Sequence, residues 1–151
     1  GDRFRQDVDG FLYITGRIKD YFKTIQGKFV APTPIEAQFA DNPYVEQQCL
    51  VGLGMNKTIM VAVVSETMRD APRDVIEASV LETVEQLNRV VEKHERMGGA
   101  ILTYEPWSIE NGVLTPTLKI KRDQISDRFG EEASAMAVES AESKTLIIRW
   151  C

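Results

Sequence analysis

The sequence predicts an α+β fold: a small three-stranded, mostly antiparallel sheet flanked by helices and preceded by a two-stranded β-hairpin. Three features of the chain imply it. Residues 58–64, Thr-Ile-Met-Val-Ala-Val-Val, are apolar on both faces, as a central strand covered above and below would be. Residues 46–53 alternate, with Cys49, Val51 and Leu53 on one face, the pattern of a half-covered neighbour. From Val75 or Ile76 through Val80, Val84, Leu87 and Val91, apolar residues recur every three or four positions, which is one buried stripe of a helix. The 151 residues make about one domain, long enough to bury roughly two-thirds of the unfolded surface.

In chain order, Asp7-Val8-Asp9-Gly10 forms a turn ahead of the β-prone run 11–14. Its Asp-x-Asp-Gly spacing lacks the further ligands and terminal glutamate of a calcium loop. The run 21–25 is again β-prone and can pair with 11–14, the charged segment 15–20 lying at the bend. Gln26-Gly27-Lys28 makes a second turn, and 29–31 is extended. Pro32 and Pro34 suit a helix start, so a helix is expected from Thr33 or Pro34 to about Ala40, with Glu36 in its first turn facing the dipole. After Asp41-Asn42-Pro43 come the two strands. Gly52 and Gly54 between them do not make a dinucleotide fingerprint, because a strand rather than a helix follows. The longest helix is expected from 71–72 to about 95, ended by Gly98-Gly99, with His94 as a surface residue near its C-terminus. A third strand covers 100–104. Residues 122–129 read as a short helix, and 131–143 as a loose helix or a frayed tail; 146–148 reads as a short strand or as non-native.

Composition excludes several classes of function. With 43% apolar and 27% charged residues the chain is globular in character. Its net charge of −5 gives no long-range attraction to nucleic acid or anionic lipid, so no nucleic-acid partner is expected. The longest apolar run, 59–64, is far too short to span a bilayer. The start of the chain is charged where a signal peptide is apolar, and Cys49 and Cys151 form no redox or metal motif. No metal site is expected, and a cytoplasmic location is.

Two stretches combine exposed lysines with glycine or proline punctuation where a plain connection would be shorter: 16–30 and 111–122. The second, Asn-Gly-Val-Leu-Thr-Pro-Thr-Leu-Lys-Ile-Lys-Arg, opens on a turn signal, resists helix at Thr115-Pro116-Thr117, and delivers Lys119 on a restrained, solvent-accessible loop. Taken alone, the stretch reads more readily as a solvated basic run before a helix than as a functional loop.

Asp2, Gly16-Arg17-Ile18-Lys19-Asp20, the run Lys23-Thr24-Ile25-Gln26-Gly27-Lys28-Phe29-Val30-Ala31-Pro32 with Ile35-Glu36, and Leu114-Thr115-Pro116-Thr117-Leu118-Lys119 resemble, in this order, the C-terminal domain of adenylate-forming acyl-CoA synthetases. The wording of 110–119 is most similar to the long-chain fatty acid–CoA ligase branch. The resemblance covers residues 1 to about 128. It implies the mobile lid of a two-domain ligase, whose larger N-terminal domain binds ATP, Mg²⁺ and the fatty acid, and which adenylates the acid before transferring it to CoA. Lys119 matches the lysine that stabilises charge during adenylation, a compact cation in a closing site. Asp2 matches the ribose-binding aspartate, Arg17 the arginine beside the nucleotide, and Lys19 the hinge. Gly27 matches the glycine beside which pantetheine passes, with Lys23 and Lys28 flanking that CoA-facing loop.

Some positions depart from the pattern. Thr117-Leu118-Lys119 stands where shorter-chain relatives read Ser-Gly-Lys, and Arg3-Phe4 where Ile-Gly is common. The implied organisation is a lid over 1–130 (hairpin and hinge 1–31, sheet and helix core 32–110, lysine loop and helix 111–130) and a tail over 131–151, helical or disordered. Gly1-Asp2 reads as a cut inside a motif, so the N-terminal domain of the same polypeptide is the expected partner and the chain alone is expected to be inactive. Peripheral membrane association is an expectation for the parent enzyme only. Two other readings stand beside this one: a domain that loads acyl groups onto a carrier protein, and a free-standing, non-catalytic binding module.

Overall fold

The computed structural model describes residues 21–151. Asp2, Arg17, the hinge Lys19 and the expected strand 11–14 lie outside the described residues. Among the described residues a two-stranded antiparallel ribbon precedes a four-stranded mixed sheet of order β3-β4-β5-β6. The ribbon joins β1 (Phe22–Lys23) to β2 (Phe29–Val30), pairing Phe22 with Val30 and Lys23 with Phe29. Helix α1 (Pro32–Phe39) follows at once, with a proline in its first turn.

The main sheet is built from β3 (Val45–Val51), β4 (Thr58–Val64), β5 (Met97–Thr103) and β6 (Ile147–Trp150). β4 is central and buried along its whole length, as its unbroken apolar run implies. Met60, Ala62 and Val64 point into one core with Phe22, Val30, Ile35, Phe39, Ile76, Val80 and Val84; Ile59, Val61 and Val63 point into a second with Trp107, Val113, Leu114, Ile125 and Met136. Helices α1 and α2 (Arg73–Val90) therefore cover one face, and α3 (Arg122–Ser143) covers the other.

The expected three-stranded, mostly antiparallel sheet is corrected on two counts. Only β3 and β4 pair antiparallel, through the connection at 52–57; β4 with β5 and β5 with β6 are parallel. A strand that returns through a helix lying across the sheet re-enters from the same end, so α2 and then α3 impose parallel pairing. The fourth strand comes from the tail. α3 runs 22 residues to Ser143, longer than the 18 of α2, so the short helix and the loose segment after it are one element.

The glycine pair 98–99 also changes role. Helix α2 stops at Val90, a 3-10 turn spans Lys93–Glu95, and both glycines lie inside β5. A Cβ on Gly99 would sit 1.8 Å from the Ile147 carbonyl oxygen, so the absence of a side chain is what admits β6. β6 is clasped from both sides. Arg149 pairs with Glu132 and Glu139 of α3, each at 2.5 Å, while Trp150 stacks on Tyr104 with ring centroids 5.1 Å apart and lies under the Arg73 guanidinium.

Candidate functional site

The lysine loop is a tight hairpin held at its base by Leu114 opposite Ile120 and by Lys121 N–H donating to the Val113 carbonyl (2.7 Å). Its tip is a turn in which Leu118 N–H donates to Thr115 O, with Pro116 in the position whose φ proline presets. Leu118 then adopts φ 67°, the left-handed conformation that completes a three-residue hairpin loop. Two further bonds lock Lys119: its N–H reaches the Thr115 hydroxyl (3.0 Å) and its carbonyl accepts from Thr115 N–H (2.8 Å). The backbone is thus over-determined while the Lys119 side chain is exposed.

Below the tip, Val113 and Leu114 are buried beside Trp107 and Ile125. Trp107 is fixed by a two-way amide latch, its N–H donating to Gln47 Oε1 (2.8 Å) and its carbonyl accepting from Gln47 Nε2 (3.0 Å). Asn111 closes the approach turn by accepting from Ser108 N–H and donating to Pro106 O, with Gly112 at φ 84°. The Asn-Gly signal thus marks a real turn.

Directly after the loop, Arg122 does something the sequence does not announce. Its Nη1 donates to Glu36 Oε2 (2.6 Å), Leu50 O (2.9 Å) and Cys49 Sγ (3.2 Å), and the same Glu36 oxygen accepts from Leu50 N–H (2.7 Å). Glu36 is the fifth residue of α1, beyond its first turn, so the expected dipole role gives way to this pairing. The pair is partly buried and ties α1, β3 and the start of α3 together immediately below Lys119. Its partners are 86 positions apart, and no local pattern betrays them. Beside it, burial pushes the Cys49 thiol up to about 12, outweighing the opposing pull of the Arg122 guanidinium.

The second stretch forms the β1–β2 turn. Thr24 N–H donates to Lys28 O, Gly27 N–H to Thr24 O, and Gly27 takes φ 83°. Nothing within 4 Å would meet a Cβ on Gly27, so its surface is open to a ligand, and its conformation independently favours glycine. Lys23 and Lys28 are both exposed, with Lys23 Nζ 5.3 Å above the Phe29 ring. The turn rests on the β3–β4 connection through Ile25 N–H to Met55 O and Gly54 N–H to Lys23 O. Gly52 allows that seat, since a Cβ there would lie 2.6 Å from the Phe22 ring.

These two loops are brought to opposite layers. Phe22 and Val30 anchor the Gly27 turn in the α1–α2 core, whereas Val113 and Leu114 anchor Lys119 in the α3 core. His94 lies beyond α2 in the 3-10 turn rather than at a helix end, and its Nε2 is 3.1 Å from the Phe29 carbonyl, bracing β2. Among the described residues no group of three or more His, Cys, Asp or Glu is placed to hold a metal ion, and no helix is long and apolar enough to cross a membrane.

Comparison with known proteins agrees with this architecture. Long chain acyl-CoA synthetase 7, peroxisomal, from Arabidopsis thaliana is 33% identical over 91% of this chain and 22% of its own length. A carboxylic acid reductase from Mycobacterium marinum is 27% identical over 80% of this chain and 11% of its own length. Among solved structures, the A-PCP didomain of carboxylic acid reductase from Segniliparus rugosus in complex with AMP superposes with a TM-score of 0.69 at 26% identity, covering 85% of this chain and 18% of that one. The chain therefore spans about a fifth of the length of the synthetase it matches. The family described as AMP-binding enzyme C-terminal domain matches residues 19–140, ending within α3. The chain belongs to that family: it is the C-terminal domain of an adenylate-forming enzyme.

Proposed function

We propose that this chain is the mobile C-terminal domain of an ATP-dependent long-chain fatty acid–CoA ligase. In that reading Lys119 serves adenylation and the Gly27 turn faces CoA. The observation that carries it is the pairing of a rigid backbone with an exposed cation: Thr115 bonds both the N–H and the carbonyl of Lys119, so the loop can deliver an ammonium to a fixed point without reorganising. A preorganised charge of that kind stabilises an oxyanion as it develops between the carboxylate and the α-phosphate. The 33% identity to a long chain acyl-CoA synthetase supports the choice of branch.

The separation of the two loops into different layers fits a domain that presents one face for adenylation and, after turning, another for thioester formation. Gly27 leaves room for the pantetheine arm, and Lys23 and Lys28 offer cations on either side of it. Asp2 and Arg17 are assigned to the nucleotide and Lys19 to the hinge on the strength of the motif they match. A second reading, transfer to a carrier protein, is favoured by the likeness to carboxylic acid reductases, one of them an A-PCP didomain.

The test uses the polypeptide that joins this chain to its adenylation domain. Lys119→Ala is expected to lower ATP–pyrophosphate exchange by about a hundredfold or more while sparing thioester formation from preformed acyl-adenylate. Lys19→Pro is expected to do the reverse. Equal loss of both half-reactions in Lys119→Ala would overturn the role assigned to that residue.

A further inference from the structure

Among the described residues β3 is an edge strand of the main sheet, so the N–H and C=O groups on its outer side have no strand to pair with. At Leu50 two side chains take the place of that strand. The Leu50 N–H donates to Glu36 Oε2 at 2.7 Å, and its carbonyl accepts from Arg122 Nη1 at 2.9 Å. Arg122 and Glu36 also bond each other at two points, Nη1 to Oε2 at 2.6 Å and Nη2 to Oε1 at 3.4 Å. A planar guanidinium can meet a carboxylate twice and still reach the strand, which the point charge of a lysine cannot do. With 28% and 15% of their side-chain surfaces exposed, Arg122 and Glu36 are shielded enough for water and salt to weaken the pair little.

The place of Arg122 in the chain gives this pair a second consequence. Arg122 stands three residues beyond Lys119 and opens α3, where Gln124 and Ile125 N–H groups bond the Lys121 carbonyl. The entrance of the lysine loop is fixed to the same strand, because Gln47 of β3 holds both the N–H and the carbonyl of Trp107. Between these anchors the loop is closed by its own bonds, Leu114 opposite Ile120 and Thr115 around Lys119. A hairpin closed in this way moves as one body, and its direction is decided by the anchors at its two ends. Gln47 and Leu50 lie about 10 Å apart along the strand, a base wide enough to stop the loop from pivoting.

We infer that Arg122, held by Glu36 across Leu50, is a positioning residue for adenylation: it fixes the exit of the lysine loop on β3, as Trp107 fixes the entrance, and so sets the point at which the Lys119 ammonium arrives. The inference rests on the reading that Lys119 serves adenylation. The bonds inside the loop define its shape, whereas Arg122 defines its direction. Displacing a reacting group by about 1 Å can cost about a hundredfold in rate. The effect belongs to adenylation alone, since the Gly27 turn is anchored in the other core through Phe22 and Val30.

The test uses the polypeptide that joins this chain to its adenylation domain, with Arg122→Gln, Arg122→Lys and Lys119→Ala compared with the parent. Palmitate-dependent ATP–pyrophosphate exchange reads adenylation, and thioester formation from preformed palmitoyl-adenylate reads the second step. Arg122→Gln is expected to lower the kcat of exchange about ten- to a hundredfold, with KM for ATP and palmitate and the rate of the second step each within about twofold of the parent. Arg122→Lys is expected to recover part of the loss, because it keeps the charge without the fork. Thermal melting checks the fold, and Gln47→Ala, which frees the other anchor, repeats the measurement should Arg122→Gln melt early. Equal losses in both steps would mark a purely structural tie and overturn the inference, and full recovery in Arg122→Lys would do so by reducing the effect to charge. Unchanged exchange in Arg122→Gln beside lost exchange in Lys119→Ala would overturn it too, leaving the functional reading intact. Exchange retained in Lys119→Ala would sink that reading and this inference with it.

Discussion

Leu118 holds φ 67° and is 66% exposed, so a β-carbon sits in a left-handed turn with little packing to compensate it. Such a conformation costs a non-glycine residue about 1 kcal/mol or more. Leu118→Gly is therefore expected to be more stable than Leu118→Ala by about 1 kcal/mol, because alanine keeps the strained Cβ and glycine removes it; urea denaturation of the two variants measures the difference. The Thr115-Pro116-Thr117 segment marks the loop as restrained in the sequence, but only its closed hairpin shows which residue bears the strain. Cys49 gives a pH prediction. Its thiol is raised from an ordinary 9.0 to about 12 by burial. Above pH 9 the unfolded chain releases this proton and the folded chain keeps it, so stability falls as pH rises from 9 towards 12. At about pH 10.5 the loss is on the order of 2 kcal/mol, and Cys49→Ala should lack that part of the slope in chemical denaturation followed across pH.

The strand β6 depends on a single missing side chain. In Gly99→Ala the new Cβ would need the Ile147 carbonyl, 1.8 Å away, to move, and that atom belongs to backbone. We expect a loss of about 3 kcal/mol, with β6 released and its amide protons exchanging rapidly. Gly98→Ala should cost less, since its nearest neighbour at 3.0 Å is the side chain of Ser140. Comparing the two melting temperatures, with exchange read at Ile148 and Arg149, checks both statements. The glycine pair was visible in the sequence, yet its local meaning, the end of a helix, differs from its tertiary one. Helix-terminating glycines and glycines that admit a neighbouring strand look alike until the neighbour is known. The β3–β4 hairpin and the amphipathic stripe of α2 needed no such knowledge. Their periodicity alone implied them, although Leu53 lies beyond β3 and is exposed rather than on its inner face.

As a whole the domain is a sheet with helices on both faces, each face seating one of the two loops that carry the proposed chemistry. The described residues include no glycine-rich phosphate loop and no carboxylate cluster for a metal. In the proposed reading adenylation needs the larger partner domain, so the 151-residue chain by itself is expected to show no palmitate-dependent ATP–pyrophosphate exchange, and exchange above background would refute this.

The sequence by itself determined the pieces that depend on neighbours in the chain. It marked the apolar central strand, the helix stripe of α2, the turns at Gly27 and Gly112, and the loop that ends in Lys119. Each is written in periodicities or turn chemistry spanning a few residues, and the order of the motifs pointed to the family. Tertiary structure alone decided the rest. The parallel pairing of β6, the Glu36–Arg122 tie beneath the lysine loop, and the Gln47–Trp107 latch join residues tens of positions apart. Contacts of that kind leave no periodic trace, because their energy comes from burial and charge meeting in space after the local elements have formed.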